Sequence, residues 1–408
     1  MRLWRVPYPK FGEGPGLERV AQVAERLGLD LSGFGGSGAV IVGSNGKGST
    51  AAMTAALLQH TGASVGLFTS PHLFDLNERF RIDGEDITDD ELGRHWGRVA
   101  AAVEASGKTR ELGGFEFLFL IAADWFAARG CAHTVWEAGI GGRLDPVKLV
   151  EARRLALTAL DLEHTHLLGN TLADIARDKA EAAPAGATLF VGESCAPHLA
   201  VIEEHSAPRG VRAELVPAQA AGGFDLPLLG GHQRANAALA LSLARDIAKL
   251  GDDAVRKGFA STRWPGRLEI LSVDPLVVID VGHTPDAIAV ALEGFRALAG
   301  DRRAVVVCGA SRDKEAAAVI GALAPSFSTI ICAAARHKGA PAAQIAAHAS
   351  AANAEAELAL AENVADARRL ALARAGADGA IYVAGGLFLA AEFRALHLGR
   401  DPATLLFF

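Results

Sequence analysis

The run Gly43-Ser44-Asn45-Gly46-Lys47-Gly48-Ser49-Thr50 follows an apolar, strand-like segment, Ala39-Val40-Ile41-Val42, and leads directly into the helix-like Ala51-Ala52-Met53-Thr54-Ala55-Ala56-Leu57-Leu58. Strand, glycine-rich turn and helix in that order point to an α/β sheet in which a ligand meets the carboxyl end of a strand. The glycines let the backbone turn tightly and aim N–H groups at phosphate oxygens. Lys47 adds a point charge, the helix N-terminus adds its dipole, and Ser49 or Thr50 can reach a magnesium ion. The spacing departs from the common phosphate loop, because Gly48 separates Lys47 from Ser49 and Ile41 stands where that pattern has its first glycine. A glycine-rich turn that binds no phosphate is the alternative left open by these residues alone.

Short apolar runs alternate with alanine-rich segments of helical period along the 408 residues, the pattern of parallel sheets flanked by helices. Strands are expected at 39–42, 65–68, 134–138, 155–160 and 188–191. A second series begins at Leu276-Val277-Val278-Ile279-Asp280 and continues at 304–308, 328–332 and 380–384, with helices at 285–298, 313–323, 341–352 and 363–375. Between the two series, Thr262-Arg263-Trp264-Pro265-Gly266-Arg267 interrupts regular structure with Pro and Gly. The expected fold is therefore α/β. An N-terminal P-loop ATPase-like domain with a parallel sheet covers 1–262, a hinge covers 262–267, and a smaller C-terminal Rossmann-like α/β domain covers 267–408.

A net charge of −7, with the basic residues scattered, gives no footprint for nucleic acid or an anionic membrane. Cys131, Cys195, Cys308 and Cys332 are far apart and form no paired metal spacing, so reduced, buried thiols and a cytoplasmic setting are expected. The first nine residues lack the apolar core of a signal peptide, and no run approaches the length that spans a bilayer. A soluble protein is the expectation.

Thr69-Ser70-Pro71-His72-Leu73 falls at the end of the second expected strand, where Ser70 can ligate a metal and His72 can approach a substrate; a plain Ser-Pro turn is the other reading. The third strand ends in Trp136-Glu137-Ala138-Gly139-Ile140-Gly141-Gly142-Arg143-Leu144-Asp145. A carboxylate in an apolar strand needs a partner or a cation. Magnesium, a hard ion that takes one or two protein oxygens beside phosphates and water, suits Glu137. The fourth strand leads to Asp161-Leu162-Glu163-His164-Thr165-His166, where His164 alone reads as a hydrogen-bonded turn histidine. Lys179 alone reads as an ordinary helix lysine. Gly231-His232-Gln233-Arg234-Ala235-Asn236 opens another helix, with amides suited to a nucleobase edge or to capping.

Together these segments resemble the folylpolyglutamate synthase and dihydrofolate synthase family of the Mur ligase superfamily. The matching residues are Ser44 to Thr50, Thr69 to Leu73 with Glu78-Arg79, Glu137 with Gly141 to Asp145, His164-Thr165, Lys179-Ala180, and His232-Gln233 with Asn236. Arg263 to Arg267 follow, then Asp280 with His283 and Pro285. The loop's unusual spacing resembles the variant this family uses. The resemblance implies an ATP-dependent ligase. In such an enzyme a substrate carboxylate attacks the γ-phosphate to give an acyl phosphate, and an amino-acid amine then displaces phosphate to form an amide. In this family the acid is dihydropteroate or a folate and the amine is L-glutamate. Paralogous ligation of a non-folate acid, or a P-loop kinase or nucleotide-driven switch, are the competing readings.

The resemblance also implies residue roles. Gly43, Asn45, Gly46, Gly48, Ser49 and Thr50 would line the nucleotide with Lys47, which holds the β- and γ-phosphates. Ser49 and Ser70 would hold one magnesium ion, and Glu137 and His164 a second. Lys179 would be carbamylated, which requires its neutral amine. Asn236 would contact adenine, Asp280 the ribose, and Arg267 and His283 the phosphates, acting in catalysis with Lys47 and Lys179. His72, Arg143 and Asp145 would face the acid. A monomer acting on small molecules is implied, with closure about Trp264-Pro265-Gly266 completing the site. Departures from the family pattern fall at Pro146-Val147-Lys148 (Ala-Thr-Asn is usual), Glu181 (Gly), Val281-Gly282-His283-Thr284 (Gly-Ala-His-Asn), Lys338-Gly339 (Pro-Arg) and Gly386 (Ser). Two readings of them stay open: ordinary drift, or an acid, an incoming amine or both that have changed while ATP activation persists.

Overall fold

The computed structural model describes residues 4–312 and 315–407; Met1-Arg2-Leu3, Asp313-Lys314 and Phe408 lie outside, so the expected helix start at Asp313 does too. Eight strands form the first sheet: β1 (Gly38–Val42), β2 (Val65–Phe68), β3 (Phe80–Ile82), β4 (Glu85–Asp86), β5 (His133–Glu137), β6 (Arg154–Leu157), β7 (Thr188–Gly192) and β8 (Arg212–Val216). Their order is β4-β3-β2-β5-β1-β6-β7-β8, so β1, which feeds the phosphate loop, is central. All five of its residues are buried, and alternate side chains serve opposite faces. Ala39 and Ile41 join the core formed with the helices Lys47–Gln59 and His232–Ile247. Val40 and Val42 join the core formed with Leu17–Leu27, Asp89–Ser106 and Gly114–Arg129. Burial on both faces explains why these strands read as unbroken apolar runs.

The second sheet follows residue 267 and contains β9 (Glu269–Val273), β10 (Leu276–Ile279), β11 (Ala304–Cys308), β12 (Thr329–Cys332), β13 (Glu357–Leu360) and β14 (Ala380–Ala384). The order is β13-β12-β11-β14-β10-β9. The helices Pro285–Ala299, Ala316–Leu323 and Ala342–Ala352 cover one face, and Val364–Ala375 and Leu387–His397 the other. Segment 262–267 joins the helix Asp252–Ser261 to β9.

Both sheets are predominantly parallel, as the sequence implies, and each carries antiparallel pairing at one edge. The hairpin β3-β4 lies antiparallel beside β2, and β9 lies antiparallel to β10. The strands absent from the sequence reading, β3, β4, β8, β9 and β13, are all at or next to a sheet edge. Edge strands keep polar, solvent-facing residues, as in Arg212-Ala213-Glu214-Leu215 and Glu357-Leu358-Ala359-Leu360, and so show no apolar run. The β3-β4 turn, Asp83-Gly84, has φ values of +52° and +85°, the geometry that favours Asp-Gly in two-residue hairpins. Strand β6 ends at Leu157 rather than at 160, because Thr158 turns its hydroxyl onto the carbonyl oxygens of Asn45 (2.5 Å) and Val42 (3.3 Å). Among the described residues, no helix is long and apolar enough to cross a membrane.

Candidate active site

The phosphate loop is clamped from two sides. Gly43 (φ +143°) and Gly46 (φ +85°) adopt backbone conformations open chiefly to glycine, and a side chain at either would collide with Thr158 Oγ1 or Asn236 Oδ1. Lys47 Nζ donates to the carbonyl oxygens of Gly43 (2.7 Å) and Ser44 (3.3 Å). Ser49 is buried and accepts from Gln233 Nε2 (3.3 Å), and Asn236 Nδ2 donates to Gln233 Oε1 (3.0 Å). Asn236, expected at adenine, is 7% exposed and underpins the loop through Gln233. Asn45 Nδ2 reaches Asp161 Oδ2 and, in the second domain, Thr284 Oγ1, both at 3.4 Å. Thr50 Oγ1 is buried with no hydrogen-bond partner at the base of the loop, a donor that a phosphate oxygen would satisfy.

One cleft between the domains collects Gly48, Ser70, Glu78, Glu137, Trp264, Arg267, Val281 and His283 from the segments singled out in the sequence, and adds Arg81. At the end of β5, Glu137 Oε2 accepts from Ser70 N (2.9 Å). Burial pushes its carboxyl pKa up, against the charges of Lys47, Arg267 and Arg79. No group of three or more His, Cys, Asp or Glu able to hold a metal exists among the described residues. Ser70 and Glu137 nevertheless fit a hard cation that draws its remaining ligands from phosphate and water. His164 stands at the N-cap position of the short helix Thr165–Leu168, with φ +46°.

Lys179 Nζ pairs with Glu163 Oε1 at 3.0 Å, with side chains 1% and 13% exposed. Burial lowers the Lys179 pKa, and the neighbouring Glu163 opposes that shift. Burial raises Glu163 in turn, yet Lys47 and Lys179 hold it down at about 2. Glu181 adds no charge beside Lys179. It lies between Lys148 Nζ (3.5 Å), His205 Nε2 (2.8 Å) and Arg209 Nη1 (3.6 Å). Two departures from the family pattern, Lys148 and Glu181, are therefore each other's partners.

Packing and hydrogen bonds hold three further residues singled out in the sequence. His72 is 2% exposed. Arg79 Nε donates to its Nδ1 (2.9 Å), so Nε2 carries the proton and donates to Leu406 O (2.7 Å), while the ring stacks on Phe407 at 5.3 Å. Burial, then Arg79, lowers its pKa to about 3 and keeps it neutral. Asp145 accepts from the backbone N–H groups of Gly139, Ile140 and Val147 at 2.8–3.1 Å, ordering the glycine-rich turn, and burial pushes its pKa up to about 6. Asp280, expected at the ribose, accepts from Gly282 N (2.7 Å) and Leu268 N (3.0 Å) and orders the linker. Arg143 is half exposed, held on one edge by Asp178 at 3.2 Å.

Arg81 escaped the sequence reading because its strand did. Phe80-Arg81-Ile82 alternates apolar and polar residues just before Asp83-Gly84, a hairpin signal that would have found it.

A phosphate loop in one α/β domain, faced across a cleft by Arg267 and His283 of a second, has the architecture of a Mur ligase, and residues 266–387 match the family model described as Mur ligase, glutamate ligase domain. The chain is 32% identical over 347 residues to the dihydrofolate synthase/folylpolyglutamate synthase of Bacillus subtilis, covering 77% of this chain and 79% of that protein. It belongs to the folylpolyglutamate synthase/dihydrofolate synthase family. A probable bifunctional folylpolyglutamate synthase/dihydropteroate synthase of Halobacterium salinarum is 36% identical over 411 residues, covering 94% of this chain and 50% of that protein. The chain thus spans about half the length of its haloarchaeal relatives. Among solved structures, E. coli FolC in complex with DHPP and ADP superposes with a TM-score of 0.86 at 28% identity, covering 96% of this chain and 95% of that one. The ADP complex of Mycobacterium tuberculosis folylpolyglutamate synthase gives 0.87 at 27% identity, with 96% of each chain covered.

Proposed function

We propose that this protein is an ATP-dependent carboxylate-amine ligase that adds L-glutamate to dihydropteroate or to a folate through an acyl phosphate. The observation that carries the reading is the cleft itself, where Gly48 of the phosphate loop, Ser70 and Glu137 face Arg267 and His283 of the other domain. E. coli FolC has been solved with DHPP and ADP, and the Yersinia pestis bifunctional enzyme with Mn, AMPPNP and L-glutamate. These supply the nucleotide, metal, acid and amine for the reading.

Lys47 and the N–H groups of the loop bind the β- and γ-phosphates, with Thr50 beneath them. Ser49, Ser70 and Glu137 would hold magnesium, which would supply charge neutralisation for phosphoryl transfer. Arg267 and His283 approach the same phosphates from the second domain when segment 262–267 lets the domains close. Arg143 and Arg81 supply positive charge for the acid's carboxylates. Carbamylation of Lys179, within this reading, requires removal of the ammonium proton that Lys179 donates to Glu163. The protein works as a cytoplasmic monomer on small molecules.

The test is ADP release measured with Mg-ATP against a panel of acids and amines that includes dihydropteroate, tetrahydrofolate and glutamate, followed by product mass. Steady ADP formation requiring both an acid and glutamate, with a product heavier by one glutamyl residue, is expected. ADP release that ignores the amine would overturn the ligase, and turnover of a non-folate acid alone would replace the acid.

A further inference from the structure

The glycines of the phosphate loop are glycine for different reasons. Gly43 and Gly46 have positive φ, but Gly48 lies in the first turn of the helix Lys47–Gln59, outside the positive-φ set. Its backbone gives no reason for a residue that is a poorer helix former than alanine. The reason lies in its surroundings. A Cβ at Gly48 would stand 2.7 Å from Cζ2 of Trp264 and 3.0 Å from its Cε2 and Nε1, closer than side chains approach. Trp264 is partly buried against the core that includes Ala51, Leu57 and Phe259, and the Arg81 guanidinium lies over its ring, 5.5 Å from the centroid. Arg81 is in turn held by Asp86 at 2.5 Å. The interdomain linker is thus inserted between the phosphate loop and the β3-β4 hairpin.

We infer that Gly48 is the seat of Trp264, and that this contact makes the linker respond to the phosphate loop, so that nucleotide binding is transmitted to Arg267 three residues further on. The extra residue that separates this loop from the common pattern is then a coupling element between the domains, and Trp264 is a positioning residue. Gly48, Trp264 and Arg267 line the same cleft, so a displacement at the loop has only the indole and a short Pro-Gly turn to cross before it reaches the guanidinium. The transmission half of the inference rests on the ligase reading, whereas the seating half does not.

The test is a double-mutant cycle of Gly48→Ala and Trp264→Leu. In the ligand-free protein, Gly48→Ala should lower the melting temperature by about 3–6 °C in the native background, and should leave it unchanged or raise it where Trp264 is already leucine, since alanine then keeps only its helical advantage. Equal destabilisation in both backgrounds overturns the seat. For transmission, MgADP is titrated while tryptophan emission is followed. Gly48→Ala should weaken MgADP about tenfold, with at least about threefold recovered in the double variant, and the nucleotide-dependent emission change should vanish in Trp264→Leu. A wild-type protein that binds MgADP with no emission change, and whose affinity is untouched by Trp264→Leu, overturns transmission. Failure of the wild type to bind MgADP at all refutes the ligase reading and transmission together, and the melting experiment still decides the seat.

Discussion

Glu163→Gln is expected to be among the most damaging single substitutions available in the first domain. The carboxylate lies 3.0 Å from Lys179 Nζ, whose side chain is 1% exposed. A neutral amide in its place would leave that ammonium buried with Asp178 as the other nearby anion, and Asp178 is already bound to Arg143 and Gly142 N. Removing one partner of a buried pair costs about 3–5 kcal/mol. Lys179→Met should cost less, about 1–3 kcal/mol, because Glu163 is 13% exposed and keeps Lys47 as a neighbour. The double variant has no unpaired charge and should be more stable than Glu163→Gln alone, giving a coupling of about 2–3 kcal/mol. Urea unfolding followed by tryptophan emission measures this, since four of the five tryptophans lie in the first domain and the fifth, Trp264 of the linker, packs against that domain's core. The sign is diagnostic. Were Lys179 carbamylated in the ligand-free protein, two anions would face each other and Glu163→Gln would be neutral or stabilising. Equal stability of wild type and Glu163→Gln, in bicarbonate-free and bicarbonate-containing buffer alike, refutes the ion pair.

Further outcomes follow from the same packing. Burial raises the Asp124 pKa, but hydrogen bonds from His95 and Arg98 and their charges bring it below the ordinary 3.8. Its contribution to stability is therefore complete above that value and disappears as pH falls below it; Asp124→Asn should flatten the acid limb of a stability–pH curve and leave its alkaline limb unchanged. Lys148→Asn should cost about 0.5 kcal/mol, since the Lys148–Glu181 contact is 3.5 Å with side chains 31% and 24% exposed. Glu181→Gly should cost about 1–2 kcal/mol because His205 and Arg209 are stranded too, and MgADP affinity should not change in either variant. His72→Ala removes the acceptor for Arg79 and the donor to Leu406, and should cost about 2–3 kcal/mol while exposing the amides of 405–407 to hydrogen exchange.

The sequence was most legible where burial on both faces forces an apolar run, as in β1, β11 and β14, whose limits it locates to within a residue. It was least legible at the sheet edges, and the edges cost the site Arg81. Motif residues were found, but the backbone contacts they make were not. Asp145, Asp280 and His72 sit in strings that look ligand-facing, yet each satisfies backbone N–H or C=O groups, a requirement visible only once the turns around them are folded. The purpose of Gly48 was equally hidden, because its neighbour, Trp264, lies 216 positions away in the chain.

That division of duties bears on the positions that depart from the family pattern. Lys148 and Glu181 neutralise each other away from Lys179. Thr284 caps the helix Pro285–Ala299 by accepting from Ala287 N and meets Asn45 of the phosphate loop across the domains, so its hydroxyl has structural work of its own. Gly339 forms a bridge with Ser311, and a Cβ there would collide with the Ala335 carbonyl, so no arginine fits this backbone. Gly339 and Gly386 line a small pocket with Ser311 and Phe388, separate from the residues of the main cleft. Of the substituted positions only Val281 lines that cleft, and its Cγ1 lies 2.9 Å from where a Cβ of Gly266 would stand, at the linker. The departures that border a cavity are thus Val281 in the main cleft and Gly339 and Gly386 in the pocket at Ser311, and the charged wall formed by Glu137, Arg267 and His283 is left as the family pattern has it.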